Sequence, residues 1–140
     1  MKPKSIREVL AGRELAQVET GQSVGEAARV LDRLNVGTVV VLSGGRLSGI
    51  LSERDIIRKC VAQGLSPETT PVDRVMTAGP HCVGIDDGLA EAFHIMRDGG
   101  FRHVPVVEGD RVVGLISIRD IPTEYRAMLE QFEAFRSGAD

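Results

Sequence analysis

The amino-acid sequence predicts an α/β (α+β) fold: two β-α-β-β-α units that pack together, preceded by a short helix and followed by a longer one. The first observation behind this is an internal repeat, in which residues 49–55 (GILSERD) return as residues 114–120 (GLISIRD), 65 residues later. Without gaps, residues 21–56 align on residues 86–121 with 11 identities in 36 pairs. The second observation is that apolar residues follow helical and then strand-like spacing in both copies. The repeat therefore indicates two related halves with clefts between them.

The helix of each copy is predicted from its start signal and its apolar stripe. Ser23 and Glu26 have the spacing of a capping box, and apolar residues at helical spacing follow them. This pattern predicts an amphipathic helix over residues 24–34. A similar stripe occurs at the aligned positions of the second copy, where Asp86 and Asp87 are expected to cap the helix or to place charge in its first turn.

The strands of each copy are predicted as hairpins. Residues 36–42 and 46–51 are short apolar or β-branched runs joined by a glycine-containing turn, and so are residues 101–107 and 111–116. The run at 38–42 is apolar at nearly every position. Such a run favours a strand that is covered on both faces.

The segments outside the two hairpins carry local signals as well. Ser5 and Glu8 predict a short capped helix near the N-terminus. Apolar residues from Tyr125 to Phe135 recur at helical spacing, which predicts a C-terminal helix that packs either on its own domain or against a second subunit. The predicted boundaries are 1–62 for the N-terminal arm and first repeat, 63–71 for a linker, 72–121 for the second repeat, and 122–140 for the C-terminal helix and tail.

The composition argues against several classes of protein. The 140 residues are 42% hydrophobic and 26% charged, which is typical of a globular chain. The net charge of -3, without a dense basic cluster, argues against nucleic-acid binding. No apolar run approaches the roughly 20 residues that cross a bilayer, so we expect no membrane segment and a cytoplasmic location. Cys60 and Cys82 lack the paired spacing of a zinc site or a disulfide framework, and no metal site is predicted.

A Ser-x-Arg-Asp segment follows the second strand of each hairpin, and it has two interpretations. In residues 52–55 and 117–120 the Ser and Asp can form a capping box that needs no ligand. Arg54 and Arg119, however, place a cation in the first turn of a helix, where the macrodipole disfavours it, so we expect each to have an anionic partner. A carboxylate can accept both hydrogens of a ribose diol, while Ser, Arg and amide groups donate to phosphate. These groups together indicate a nucleotide site without a catalyst.

A second basic segment opens the first strand of the second hairpin. Arg102 and His103 are followed closely by Pro105, and the aligned residues of the first copy are Gly37 and Thr38, without charge. The pair is either an ordinary surface pair entering an edge strand or a source of cations for a phosphate. In the second case the two clefts differ in phosphate affinity. An imidazole with a pKa of about 6.5 also makes binding there depend on pH.

The repeat, the two Gly-h-h-Ser-x-x-Asp segments (h, apolar) and the run RHVPV at 102–106 resemble a tandem pair of CBS domains, or Bateman module, over residues 5–121. The resemblance implies a disc-like, pseudo-twofold module of the stand-alone bacterial type. Its central clefts bind AMP, ADP, ATP, NAD or S-adenosylmethionine as regulatory ligands. It implies that one cleft uses Ile50, Ser52, Arg54, Asp55, Pro80, His81, Cys82, Val83, Arg102, His103 and Pro105. It implies that the mirrored, weaker cleft uses Ala16, Val18, Gly37, Thr38, Leu115, Ser117, Arg119 and Asp120.

Three functions of different classes remain open at this point. The leading hypothesis is a regulatory sensor that binds an adenosine-containing small molecule, forms a homodimer and acts on an unidentified protein. The alternative is a scaffold with empty clefts that acts through its C-terminal helix. An enzyme is not expected, because neither a Gly-x-Ser-x-Gly elbow nor a metal-ligand spacing occurs, and no catalytic residue is predicted.

Overall fold

The computed structural model describes residues 4–138 of the chain, with side chains as far as residue 134. The first copy contains, in order, α1 (Ile6–Leu10), β1 (Gln17–Glu19), α2 (Val24–Leu34), β2 (Thr38–Ser43), β3 (Arg46–Ser52) and α3 (Glu53–Asp55), which continues as a π-helix (Ile56–Val61). The second copy contains a 3-10 helix (Val72–Arg74), β4 (Thr77–Ala78), β5 (Val83–Gly84), α4 (Leu89–Gly99), β6 (His103–Glu108), β7 (Arg111–Ser117), a 3-10 helix (Ile118–Asp120) and α5 (Thr123–Gly138). The predicted fold class is confirmed.

The strands form two sheets. The first has the order β1-β2-β3-β4, with β1 parallel to β2 and the other pairs antiparallel. The second has the order β5-β6-β7, with β5 parallel to β6 and β6 antiparallel to β7. The register shifts between Val41 and Leu42 in one hairpin and between Val106 and Val107 in the other. These bulges lie 65 residues apart, so the repeat in the sequence extends to the irregularities of the fold.

The helices α2 and α4 start in different ways. The Oγ of Ser23 accepts a hydrogen bond from the backbone N–H of Glu26 at 3.0 Å, which is the first half of the capping box predicted for α2. The second half is not formed among the described residues, and the Glu26 carboxylate accepts from the side chains of Gln22 and Ser23. The helix α4 begins after Gly88, which has no side chain to cap it. The expectation that Asp87 caps α4 is wrong, because its Oδ2 accepts from the backbone N–H of Gly84 at 2.7 Å. Asp86 instead receives a hydrogen bond from Arg7 at 3.0 Å.

The two copies differ after their second hairpin. In the first copy α3 runs on into the π-helix. In the second copy the 3-10 helix stops at Asp120, and Ile121 takes an extended conformation with φ -93° and ψ 119°. Pro122 follows, and the helical region is sterically disfavoured for a residue before proline. The chain therefore restarts its helix at Thr123 and forms α5.

The cores of the two copies exchange their entry segments. Ile6 and Leu10 of α1 pack in the core of the second copy, together with side chains of α4, β6 and β7. Val72 and Val75, at the start of the second copy, pack in the core of the first. A third cluster around Val40 joins the two sheets. Each copy is therefore completed by the opening residues of the other.

The helix α5 has one packed side and one exposed side. Leu129 is buried in the core of the second copy, and Tyr125 packs against it. Met128 and Phe132 are 53% and 59% exposed. The side chain of Phe135, which completes the predicted stripe, lies outside the described side chains. No helix among residues 4–138 is long and apolar enough to cross a membrane.

Candidate functional site

A cavity of about 950 Å³ opens where the two hairpins meet. It lies at the first residues of β2 and β6 and at the last residues of β3 and β7. The register pairs Thr38 with Ser52 and His103 with Ser117, so each hairpin presents its strand start beside its own Ser-x-Arg-Asp segment. Both copies of the repeated motif therefore line the same cavity.

The Asp55 half-site, which comprises Ser52, Arg54 and Asp55, is built on a reciprocal cap. The Oγ of Ser52 accepts from the backbone N–H of Asp55 at 3.1 Å. The backbone N–H of Ser52 donates to Oδ2 of Asp55 at 3.0 Å. Lys59, one turn further along, places its Nζ 3.2 Å from Oδ1, with Asp55 16% and Lys59 49% exposed. The carboxylate is thus fixed in position while much of its cation partner remains in solvent.

The Asp120 half-site, which comprises Ser117, Arg119 and Asp120, carries a second fixed carboxylate. The backbone N–H of Ser117 donates to Oδ2 of Asp120 at 2.8 Å. Arg13 donates to both carboxylate oxygens, with Nη2 2.7 Å from Oδ1 and Nη1 3.1 Å from Oδ2. Burial raises the pKa of Asp120, but the hydrogen bonds from Arg13 and Ser117 outweigh burial and hold that pKa below its ordinary value. Asp120 is therefore ionised, and its carboxylate is hydrogen-bonded to Arg13 and Ser117.

The two half-sites meet at a polar contact between the copies. Oγ1 of Thr38 lies 3.2 Å from Nδ1 of His103, at aligned positions of the repeat. Burial lowers the pKa of His103, and the neighbouring cation of Arg102 lowers it further. The imidazole is therefore neutral at pH 7, and one of its nitrogens can act as an acceptor.

Three arginines line the cavity without an anionic partner among the described side chains. Arg54, Arg102 and Arg119 are exposed, and none of them forms an ion pair or a side-chain hydrogen bond within the part of the chain whose side chains are described. By contrast Glu14, at the rim, pairs with Arg33 at 3.2 Å. The anionic partners that the sequence led us to expect for Arg54 and Arg119 are thus not supplied by the described residues.

Most of the predicted site residues line this one cavity. From the first predicted cleft these are Ile50, Ser52, Arg54, Asp55, Arg102 and His103; from the second they are Ala16, Gly37, Thr38, Leu115, Ser117, Arg119 and Asp120. Six others lie outside the lining: Val18, Pro80, His81, Cys82, Val83 and Pro105. Val18 and Val83 belong to the two cores, and Pro105 is buried within β6. Cys82 and His81 are exposed, with the His81 ring 6.1 Å from that of Phe101.

Sequence reasoning missed Arg13 and Lys59, the two cations that touch the repeated carboxylates. Lys59 lies four residues after Asp55, a spacing that brings side chains together on a helix and was readable in advance. Arg13 lies outside the aligned repeat and reaches Asp120 across 107 residues of sequence. No local pattern reveals such a contact.

The comparisons with known proteins agree with this architecture. The family model of the CBS domain matches residues 6–62 and again residues 72–124. The chain therefore belongs to the CBS domain family and contains two copies of the domain. The CBS domain-containing protein CBSCBSPB2 of Arabidopsis thaliana is 35% identical over 138 residues, which cover 99% of this chain and 25% of that protein. CBSX3, a mitochondrial CBS domain-containing protein of the same plant, is 31% identical over 85% of this chain and 62% of its own. The chain thus spans less than two thirds of these relatives.

Solved structures of the family superpose well on the chain. A CBS domain protein from Pyrobaculum aerophilum, complexed with AMP, has a TM-score of 0.80 and 29% identity, and the match covers 91% of this chain and 99% of that one. A CBS-domain containing protein from Agrobacterium tumefaciens has a TM-score of 0.74 and 34% identity over 84% of this chain and 95% of its own.

Proposed function

We propose that this chain is a non-catalytic regulatory module that binds an adenosine-containing ligand, AMP, ADP, ATP or NAD, in the cavity between its two copies. The observation that carries the proposal is a set of three arginines, Arg54, Arg102 and Arg119, for which the described side chains supply no anionic partner. They line a cavity that also holds a fixed carboxylate. Guanidinium groups bind phosphate through charge-assisted hydrogen bonds. A phosphate group would supply the missing anion.

The ribose would bind at Asp55. Its Oδ2 accepts one hydrogen bond from the backbone of Ser52, and its Oδ1 is near Lys59, so a carboxylate with about four acceptor positions keeps room for two hydroxyl hydrogens. Half-exposed ion pairs such as that with Lys59 contribute roughly 0–1 kcal/mol, so the lysine can move away at little cost. Asp55 is therefore the acceptor that we assign to the diol.

His103 would contact the phosphate side of the ligand. It lies between the two half-sites, beside Thr38 and close to Arg102. The relative from Pyrobaculum aerophilum, whose chain was solved with AMP, supports an adenine nucleotide as the class of ligand.

A second candidate function is a scaffold that works through its apolar surface. Ile57 and Val61 of the π-helix are 60% and 57% exposed, and Met128 of α5 is 53% exposed. Where exposed apolar side chains form a contiguous patch, they mark a site of contact with another chain. The homodimer predicted from the sequence would use such a surface, and the dimer is compatible with either function.

The test is binding of AMP, ADP, ATP, NAD and S-adenosylmethionine to three variants. A ligand at 100 times its dissociation constant stabilises the folded chain by about 2.7 kcal/mol, which a thermal-shift panel detects. We expect at least one ligand to stabilise the wild type, and we expect calorimetric titration to show that Asp55→Ala weakens binding more than Asp120→Ala. Asp32→Ala, exposed on α2, is the control and should bind normally.

The outcomes separate the two candidate functions. Both aspartates accept from the backbone N–H of the serine three residues before them, so both variants lose this cap. Asp120→Ala also loses two hydrogen bonds from Arg13, so the unfolding midpoint of each variant is measured beside its affinity. Stabilisation by none of the five ligands would favour the scaffold. Equal loss of binding in Asp55→Ala and Asp120→Ala would contradict the assignment of the ribose to Asp55.

A further inference from the structure

The two repeated carboxylates are held by cations of different kinds and origins. Asp55 has one contact from Lys59 on its own helix. Asp120 has two hydrogen bonds from Arg13, one to each carboxylate oxygen. A bidentate guanidinium–carboxylate pair is stronger and more specific in geometry than a single ammonium contact. Both copies of the repeat therefore present an aspartate at the same position, but a different type of cation contacts each aspartate.

The asymmetry is visible in the sequence outside the repeated motif. At the 65-residue interval Arg13 corresponds to Ala78, and Lys59 corresponds to Glu124. The second copy thus offers no cation at the place from which Arg13 acts. Asp55 in turn is contacted by no guanidinium among the described side chains.

Arg13 is held in place by the packing of the segment before it. α1 is anchored by Ile6 and Leu10, which are buried in the core of the second copy. A turn follows at Gly12, whose φ of 78° lies in the left-handed region that glycine adopts without strain. The backbone N–H of Arg13 donates to the carbonyl of Leu10 at 3.0 Å, which closes this turn. The backbone of Arg13 is therefore fixed at a position from which its side chain reaches the cavity.

We propose that Arg13 determines how many nucleotides the cavity accepts, because it occupies at Asp120 the place that a ribose diol takes at Asp55. This inference rests on the proposed function. Three hydrogen bonds already reach the Asp120 carboxylate, two from Arg13 and one from the backbone of Ser117. A carboxylate has about four acceptor positions, so a diol finds one where it needs two. The wild-type chain therefore binds one nucleotide, and loss of the Arg13 contact opens a second half-site.

The experiment compares Arg13→Gln with Arg29→Gln on the full chain, using AMP as the probe. Arg29 is a matched control, because it also forms a two-contact pair, with Glu68 at 3.0 and 3.4 Å, but lies outside the cavity. Isothermal titration should give one AMP per chain for the wild type and for Arg29→Gln. It should give two for Arg13→Gln, with the affinity of the Asp120 half-site raised about tenfold or more. Adding Asp120→Asn to Arg13→Gln should return the stoichiometry to one.

A second measurement does not depend on the ligand. The chemical shift of the Asp120 carboxyl carbon is followed by NMR as a function of pH in the wild type and in Arg13→Gln. The pKa of the Asp120 carboxyl group should rise in the variant, because the hydrogen bonds from Arg13 that lower it are gone. An unchanged Asp120 pKa would overturn the contact on which the proposal depends. The unfolding midpoint of each variant verifies that it is folded.

Each binding outcome decides the proposal. One AMP for the wild type and still one for Arg13→Gln would overturn the role of Arg13 and leave the proposed function standing. Two AMP for the wild type would overturn it as well. No AMP bound by either protein would remove this inference together with the AMP site.

Discussion

His103 lies at the contact between the two copies, and its protonation links the stability of the fold to pH. Burial lowers its pKa most, and the cations of Arg102 and Arg119 lower it further. The carboxylates of Asp120 and Glu53 act in the opposite direction but do not cancel the lowering. Between the ordinary histidine pKa of about 6.5 and the lower folded value, the unfolded chain binds more protons than the folded one. The contribution of neutral His103 to stability is therefore fully present above pH of about 6.5 and is lost as the pH falls through that window.

We expect the urea concentration at the unfolding midpoint of the wild type to decrease as the pH is lowered from about 7.5 to about 5.5. His103→Gln cannot be protonated, so its midpoint should change less over the same interval. His81→Gln removes an exposed imidazole and serves as the control, with a pH dependence like that of the wild type. If His103→Gln and the wild type show the same pH dependence, His103 does not carry the effect.

The residues of the site divide into those that the sequence predicts and those that it does not. Ser52 with Asp55 was predictable, because a cap joins residues three apart and its geometry is decided locally. The pair of Arg13 with Asp120 was not, because it joins residues 107 apart and exists only once α1 is packed on the second copy. The contact of Thr38 with His103 likewise depends on how the hairpins meet.

The helices and strands also divide into features that local sequence determines and features that it does not. The helix predicted over residues 24–34 is α2 with the same bounds, since its cap and its apolar stripe agree. The predicted strands differ from the observed ones by at most two residues at their ends. The cap of α4 was predicted wrongly, because the carboxylate of Asp87 turns back to Gly84. Sequence spacing alone does not indicate which of several nearby backbone N–H groups a carboxylate accepts a hydrogen bond from.

The helix α5 allows a test of the predicted homodimer that leaves the fold intact. Removing α5 would expose the core around Leu129, so a change in mass after truncation would be ambiguous. Met128 is 53% exposed, and Met128→Glu should leave the free energy of unfolding within roughly 0.5 kcal/mol of the wild-type value. If α5 forms the dimer contact, the buried charge should shift the protein from dimer to monomer in sedimentation velocity.

A control for this prediction exists on the same helix. Gln131 is exposed and polar, and Gln131→Glu adds the same charge outside the apolar positions. It should leave the mass unchanged. A dimer that survives Met128→Glu would remove this side of α5 from the interface and direct attention to Ile57 and Val61.

At the scale of the whole molecule, the exchange of entry segments makes the two copies one folding unit. The core of the second copy contains Ile6, from the N-terminus, and the core of the first contains Val72, from the start of the second copy. Neither side chain is accessible to solvent. Each copy of about 65 residues would be marginal alone, and here each lacks part of its core without the other. The predicted boundaries at residues 62 and 72 therefore separate repeats of sequence, and we expect them not to separate folding units.

This leads to a prediction for Ile6→Ala, a change near the N-terminus that removes a side chain from the second copy. Burial in a closed core should make the loss cost about 2–5 kcal/mol. We expect a single urea transition in which amide signals of β2 and of β6 disappear together at a lower midpoint, because the copies unfold as one cooperative unit. Arg7→Ala on the same helix breaks exposed pairs with Asp86 and Glu108 and should lower the urea midpoint far less than Ile6→Ala does, because exposed ion pairs are weak. Two separate transitions, with only the β6 signals moved, would instead mean that the copies fold independently.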